Sequence, residues 1–90
     1  MRWRGPSDRA MFKKSAKVAM DNIKDGNVYS WVNPDTGVAG TITPIKSYYA
    51  ENNKICRDFD ATIAVEKRVG LTKGRACKIG MDAWMVDSRI

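Results

Sequence analysis

From Phe12 to Ile23 the apolar residues recur at helical spacing. Phe12, Ala16, Ala19, Met20 and Ile23 fall on one stripe, and Arg9, Lys13, Lys17 and Lys24 line its flank. A stripe at the 3.6-residue period predicts an amphipathic helix from about Ser7 to about Asp25. Ser7 or Asp8 offers a side-chain oxygen to cap its first N–H groups, and Gly26 suits the left-handed turn that ends a helix. After Gly26 the period changes to two. Asn27–Asn33 alternates Val28, Ser30 and Val32 with Tyr29 and Trp31, a strand pattern rich in β-formers. Pro34-Asp35-Thr36-Gly37 is turn chemistry, since proline presets φ and glycine accepts a positive one.

A second strand is expected from Val38 to about Tyr49. Pro44 within it has no N–H to give a ladder, which predicts an edge strand or a bulge. Ala50–Asn53 is the next turn. The clearest strand is 54–66, with Ile55, Phe59, Ala61, Ile63 and Val65 on one face and Arg57 interrupting them. Cys56, Asp58, Asp60, Thr62, Ala64 and Glu66 take the other face. The chain then turns over 67–70, returns over 71–79, and closes with a short strand, 83–86, carrying Trp84. The expected fold is α+β: an N-terminal amphipathic helix packed on a four- to five-stranded antiparallel meander. Residues 1–6 are expected to form a flexible basic arm and 7–90 a single domain.

Composition narrows this picture without naming a function. A chain of 90 residues supports one core of near-minimal size, and 43% hydrophobic content argues against wholesale disorder. Sixteen Lys and Arg against ten Asp and Glu give a net charge of +6, without histidine. Seven of those cations lie in residues 1–26 against three acids, so the positive charge is concentrated at the N-terminus. Such a balance suits nucleic acid, anionic lipid or an acidic protein equally well, and is also ordinary solubility charge. No apolar run reaches the roughly 18–20 residues of a membrane span. Gly5-Pro6-Ser7-Asp8 stands where a secretory signal would have its apolar segment. As written, the chain is expected to be soluble and untargeted, unless an export segment precedes Met1.

The two cysteines admit three readings: a disulfide, buried thiols, or a redox or metal pair. Zinc needs four soft or imidazole ligands, and the spacing is far wider than Cys-x-x-Cys. If 54–66 and 71–79 form a hairpin, Cys56 and Cys77 fall nearly opposite one another, which favours a disulfide. Its persistence implies an oxidising compartment. Without histidine the usual general base, metal ligand and triad partner are missing. Asp58 and Asp60 share a strand face, but a solvated surface beside Arg57 explains them better than a paired-carboxylate site. Gly70, Gly74 and Gly80 do not form a phosphate loop. Neither catalysis, metal nor cofactor is expected.

Two binding readings remain. A single-strand nucleic-acid binder would use Tyr29, Trp31, Tyr48, Tyr49 and Trp84 as stacking platforms, with Lys54, Arg57, Lys73, Arg75 and Lys78 as its charge. Core packing explains Trp31 and Trp84 at least as well. The helix could lie on a membrane, although docking of its apolar face on the sheet is the commoner outcome.

Trp31-x-Asn33-Pro34-Asp35-Thr36-Gly37-x-x-Gly40, Thr43-Pro44, Cys56-Arg57-x-Phe59, Gly74-x-Ala76-Cys77 and a late Trp84 together resemble the C-terminal domain of bacterial surface antigens of the rickettsial outer-membrane lipoprotein type. The likeness covers about residues 10–85. It implies an envelope location, periplasmic or at the outer-membrane surface. It also implies a small helix-plus-sheet domain without catalytic activity, acting as a structural or protein-interaction module or an accessory subunit of a larger assembly. In that setting the basic face of Arg2, Arg4, Arg9, Lys13, Lys17 and Lys24 is the expected partner surface, and Trp31, Asn33, Pro34, Gly37 and Gly40 form a structural turn. The alternative is a small basic nucleic-acid-binding protein.

Overall fold

The helical stripe and the alternating strands bury their apolar sides against each other. The computed structural model describes residues 5–81 and 83–88. Helix α1 (Pro6–Asn22) is followed by β1 (Tyr29–Val32), β2 (Ala39–Tyr49), a 3-10 turn (Glu51–Asn53), β3 (Ile55–Val65), β4 (Arg68–Ile79) and β5 (Ala83–Ser88). All five strands pair antiparallel in the order β1-β2-β3-β4-β5. This is the α+β helix-on-meander, with the fifth strand present. The sheet curls around α1, which packs against β1 and β2 on one side and β5 on the other.

The element boundaries differ from the sequence expectations for local reasons. Gly5, in extended conformation, is the N-cap residue in place of Ser7 or Asp8. Pro6 then opens the helix, where its missing N–H leaves no bond unmade. The helix stops at Asn22, and Gly26, with φ of +91°, serves the loop beyond it. β4 starts earlier than expected because Glu66, at φ of 56°, takes the tight part of the turn from β3.

Pro44 lies in an interior strand, and the bulge alternative holds. The register slips between Pro44 and Lys46, leaving Ile45 as the extra residue. That slip changes which side of β2 faces the helix. Ile42 and Pro44 point inward before it, and Ser47 takes the inward position after it, opposite Arg57.

The core joins Phe12, Ala16, Ala19 and Met20 of α1 to Trp31, Val38, Ile42, Phe59, Ala61, Ile63 and Ala76. Ala16 and Ala19 are fully buried, so the helix backbone lies close to the sheet. Two cross-strand pairs set an aromatic ring over a glycine: Trp31 opposite Gly40, and Phe59 opposite Gly74. A Cβ on Gly40 would stand 2.7 Å from the Trp31 ring and 2.5 Å from the Thr62 carbonyl oxygen. One on Gly74 would collide with the Phe59 ring and lie 2.9 Å from the Asp87 carbonyl oxygen. These glycines are therefore packing residues, needed for the absence of a side chain. Gly40→Ala and Gly74→Ala should each destabilise the fold by about 1–3 kcal/mol, the usual penalty for overpacking. Urea unfolding followed by tryptophan fluorescence measures this.

Candidate functional site

Helix α1 has no basic residue in its last turn, so its C-terminal carbonyls need a donor from elsewhere. Arg57 of β3 supplies it. Only 8% exposed, it donates from Nη1 to the carbonyls of Met20 (2.7 Å) and Ala19 (3.4 Å), and from Nη2 to that of Ile23 (2.6 Å). Nη2 also meets the Asp25 carboxylate at 2.8 Å, and Nε donates to Ser47 Oγ at 2.9 Å. Ser47 in turn donates to Asp25 at 3.1 Å. The Arg57 guanidinium, followed by Ser47, holds the Asp25 carboxyl below its ordinary 3.8. Nearby, Trp84 Nε1 donates to Asp21 at 2.7 Å, tying β5 to the same end of the helix. Lys17 first, and then Trp84, lowers the Asp21 carboxyl.

The helix N-terminus is held by the Trp31–Gly40 segment. Asp8, in the first turn, is fully buried and accepts from Gly5 N–H at 3.0 Å, Asn33 Nδ2 at 2.8 Å and Thr36 Oγ1 at 2.5 Å. Its charge also suits the positive end of the helix dipole. Asn33 Oδ1 accepts the Asp35 N–H, and the backbone N–H of Gly37 closes on the Asn33 carbonyl at 2.8 Å. Gly37 takes φ of +77° there. The signature turn is thus a latch for α1. Asp8 and Thr36 are its members that sequence reasoning missed. The spacing of an acid three residues after the N-cap was the available signal.

On the outer sheet face, Cys56 and Cys77 are opposite in register and bonded, with Cα atoms 4.1 Å apart. Both thiols are consumed by that bond. Beside them Lys46, Asp58, Arg75 and Asp87 align across β2 to β5 with alternating sign. Asp58 accepts from Tyr48 Oη at 2.8 Å, which raises the tyrosine pKa, and Asp60 pairs with Lys73 at 3.1 Å. The two carboxylates therefore have separate partners.

Arg9, Lys13, Lys17 and Lys24 are all exposed, as is Lys14, with Lys17 bound to Asp21 at 2.8 Å. Arg2 and Arg4 lie outside the described residues. The aromatics considered for stacking are mostly engaged: Trp31 is buried, Trp84 holds Asp21, and Tyr48 carries Lys46 over its ring. Tyr49 is 74% exposed. Arg57 is spent on the helix end.

The profile of the 17 kDa outer membrane surface antigen family matches residues 19–85. The 17 kDa surface antigen of Rickettsia bellii (strain RML369-C) is 30% identical over 79 residues, covering 88% of this chain and 50% of that protein. That of Rickettsia prowazekii (strain Madrid E) is 29% identical over the same length and shares of both chains. The Rickettsia australis protein is 30% identical over 71 residues, 79% of this chain and 46% of its own. The chain spans about half the length of these curated relatives. No solved structure gives a significant match. The chain belongs to the 17 kDa surface antigen family.

Arg57→Met, which keeps the stem and removes the donors, should destabilise the fold by about 3 kcal/mol, because buried carbonyls lose their partner. Calorimetry tests the loss. Replacing both cysteines by serine should remove about 3 kcal/mol, as expected for a loop of 21 residues. The folded pKa values of Asp21 and Asp25 are depressed, so their contribution is present above 3.8 and disappears as pH falls through the lower folded values. Acid titration between about pH 5 and pH 2 should shift the Trp84 indole N–H resonance as the melting temperature falls.

Proposed function

We propose that this surface antigen family member is a non-catalytic, envelope-associated module that meets an acidic protein partner through the solvent face of α1. The observation that carries the reading is the distribution of charge on the helix. Arg9, Lys13 and Lys14 stand exposed in its first half, and Arg9 lies at the first turn, where the helix dipole disfavours cations. The acid of that region, Asp8, is turned inward to hold Asn33 and Thr36. The outward surface of this half is therefore cationic, which suits an external anionic partner. The outer sheet face, by contrast, alternates its charges in register.

The disulfide supports an oxidising compartment, and the family's description as 17 kDa outer membrane surface antigens supports the envelope. Arg2 and Arg4, outside the described residues, add to the same charge in this reading, while Gly5 and Pro6 belong to the start of α1 and not to an arm. In this reading the domain acts as an accessory part of a larger assembly, docked through that face. The nucleic-acid reading has less support, because the aromatics it needs as platforms are largely engaged within the fold.

Charge reversal tests the proposal. The double variant Arg9→Glu/Lys13→Glu should remain folded and oxidised, and its chemical cross-links to envelope proteins should fall at least about tenfold, as the loss of interfacial charge pairing implies. Retention of the wild-type cross-links, or a reduced chain recovered only from cytosol, overturns the reading.

A further inference from the structure

β4 is a long strand with a short neighbour. It runs Arg68–Ile79, yet β5 pairs only with its residues Gly74–Ile79. From Arg68 to Lys73 it has β3 on one side and, among the described residues, no strand on the other. The direction of its backbone groups follows from the disulfide. A Cα separation of 4.1 Å marks Cys56 and Cys77 as a pair that does not exchange ladder hydrogen bonds. The β3–β4 register continues without a slip to Val65 opposite Arg68, so the alternation carries along the strand. Val69 and Leu71 therefore direct their N–H and C=O groups away from β3, into an edge that no described strand covers; Lys73 points the same way, and its place in the β4–β5 register falls opposite residue 89, outside the described residues.

The same three residues present their side chains to solvent. Val69 is 69% exposed and Leu71 82%, and the Lys73 side chain is 86% exposed. Shallow hollows follow the strand here. One of ≈ 430 Å³ is bordered by Asp60, Leu71, Thr72 and Lys73, and another of ≈ 470 Å³ by Thr72, Lys73, Gly74, Arg75 and Asp87. Lys67 and Arg68 stand at one end of the apolar pair and Lys73 at the other, with Lys73 also paired to Asp60 at 3.1 Å. A second copy docked on this edge would crowd those cations against their equivalents, and like charges across a ladder are destabilising. An acidic strand meets the opposite situation.

We propose that the Arg68–Lys73 edge of β4 is a strand-addition site for an extended segment of a partner protein, with acidic residues flanking apolar ones. The segment pairs its backbone with Val69, Leu71 and Lys73, covers the two apolar side chains, and sets its carboxylates beside Arg68 and Lys73. This surface is separate from the solvent face of α1.

Nuclear magnetic resonance with the full chain tests the site. The probe is the synthetic peptide Glu-Thr-Val-Ser-Ile-Glu, compared with Lys-Thr-Val-Ser-Ile-Lys. The acidic peptide should slow amide exchange at Val69, Leu71 and Lys73 several-fold, leaving Gly70 and Thr72, already bonded to β3, little changed. Leu71→Pro removes an outward N–H without breaking a β3–β4 bond, and should weaken binding about tenfold. Arg68→Glu/Lys73→Glu should reverse the preference between the peptides. The proposal fails if both peptides bind wild type equally, or if neither protects the edge. It also fails if both variants bind the acidic peptide as wild type does, or if the three amides are protected without peptide in a concentration-dependent dimer.

Discussion

The Arg57 guanidinium at the end of α1 is the contact on which the remaining architecture depends. A helix of this length leaves carbonyls unpaired at its C-terminus, and this one has no base of its own there. A strand residue closes it instead, so helix and sheet cannot be completed separately. Several other features serve that one position. The bulge after Pro44 turns Ser47 toward Arg57, and the Pro44 carbonyl accepts the Gly26 N–H at 2.7 Å, fixing the loop that carries Asp25. The disulfide begins one residue away, at Cys56, and locks the β3–β4 register that places Arg57 opposite the fully buried Ala76.

At the other end of the helix the same problem is solved with opposite charge. Asp8 is the acid, and the Asn33–Gly37 turn brings the donors. The residues that carry the family likeness are thus largely the residues that hold the two ends of α1 and the rings over the glycines: Trp31 with Gly40, Asn33 with Thr36, Arg57, and Phe59 with Gly74. A family of surface proteins sharing these positions shares a scaffold. Residues spent on holding the scaffold together say little about partners.

Those surfaces divide by charge. Around the outer sheet face, cross-strand neighbours alternate in sign, and exposed ion pairs of this kind add little stability. The solvent face of α1 carries its cations with few local acids. The β4 edge at Val69 and Leu71 has no second strand beside it among the described residues, and carries exposed apolar side chains and flanking cations. Charge on an edge strand discourages pairing with copies of the same chain.

The sequence alone determined the helix, the turn at Pro34–Gly37 and the β3 face pattern, because each rests on local periodicity or turn chemistry; the opposition of Cys56 to Cys77 was legible only on condition that β3 and β4 form a hairpin. It also carried the family likeness, through residues whose order survives even where their roles are hidden. Only the tertiary structure decided what Asp8 and Arg57 do. A buried acid and a buried base look like surface charge or an interruption until the partners at residues 33–36 and 19–25 are brought to them. Likewise the bulge, the glycines beneath aromatic rings and the open edge of β4 depend on which strand lies alongside. That is a property of pairing between distant segments, and no local pattern encodes it.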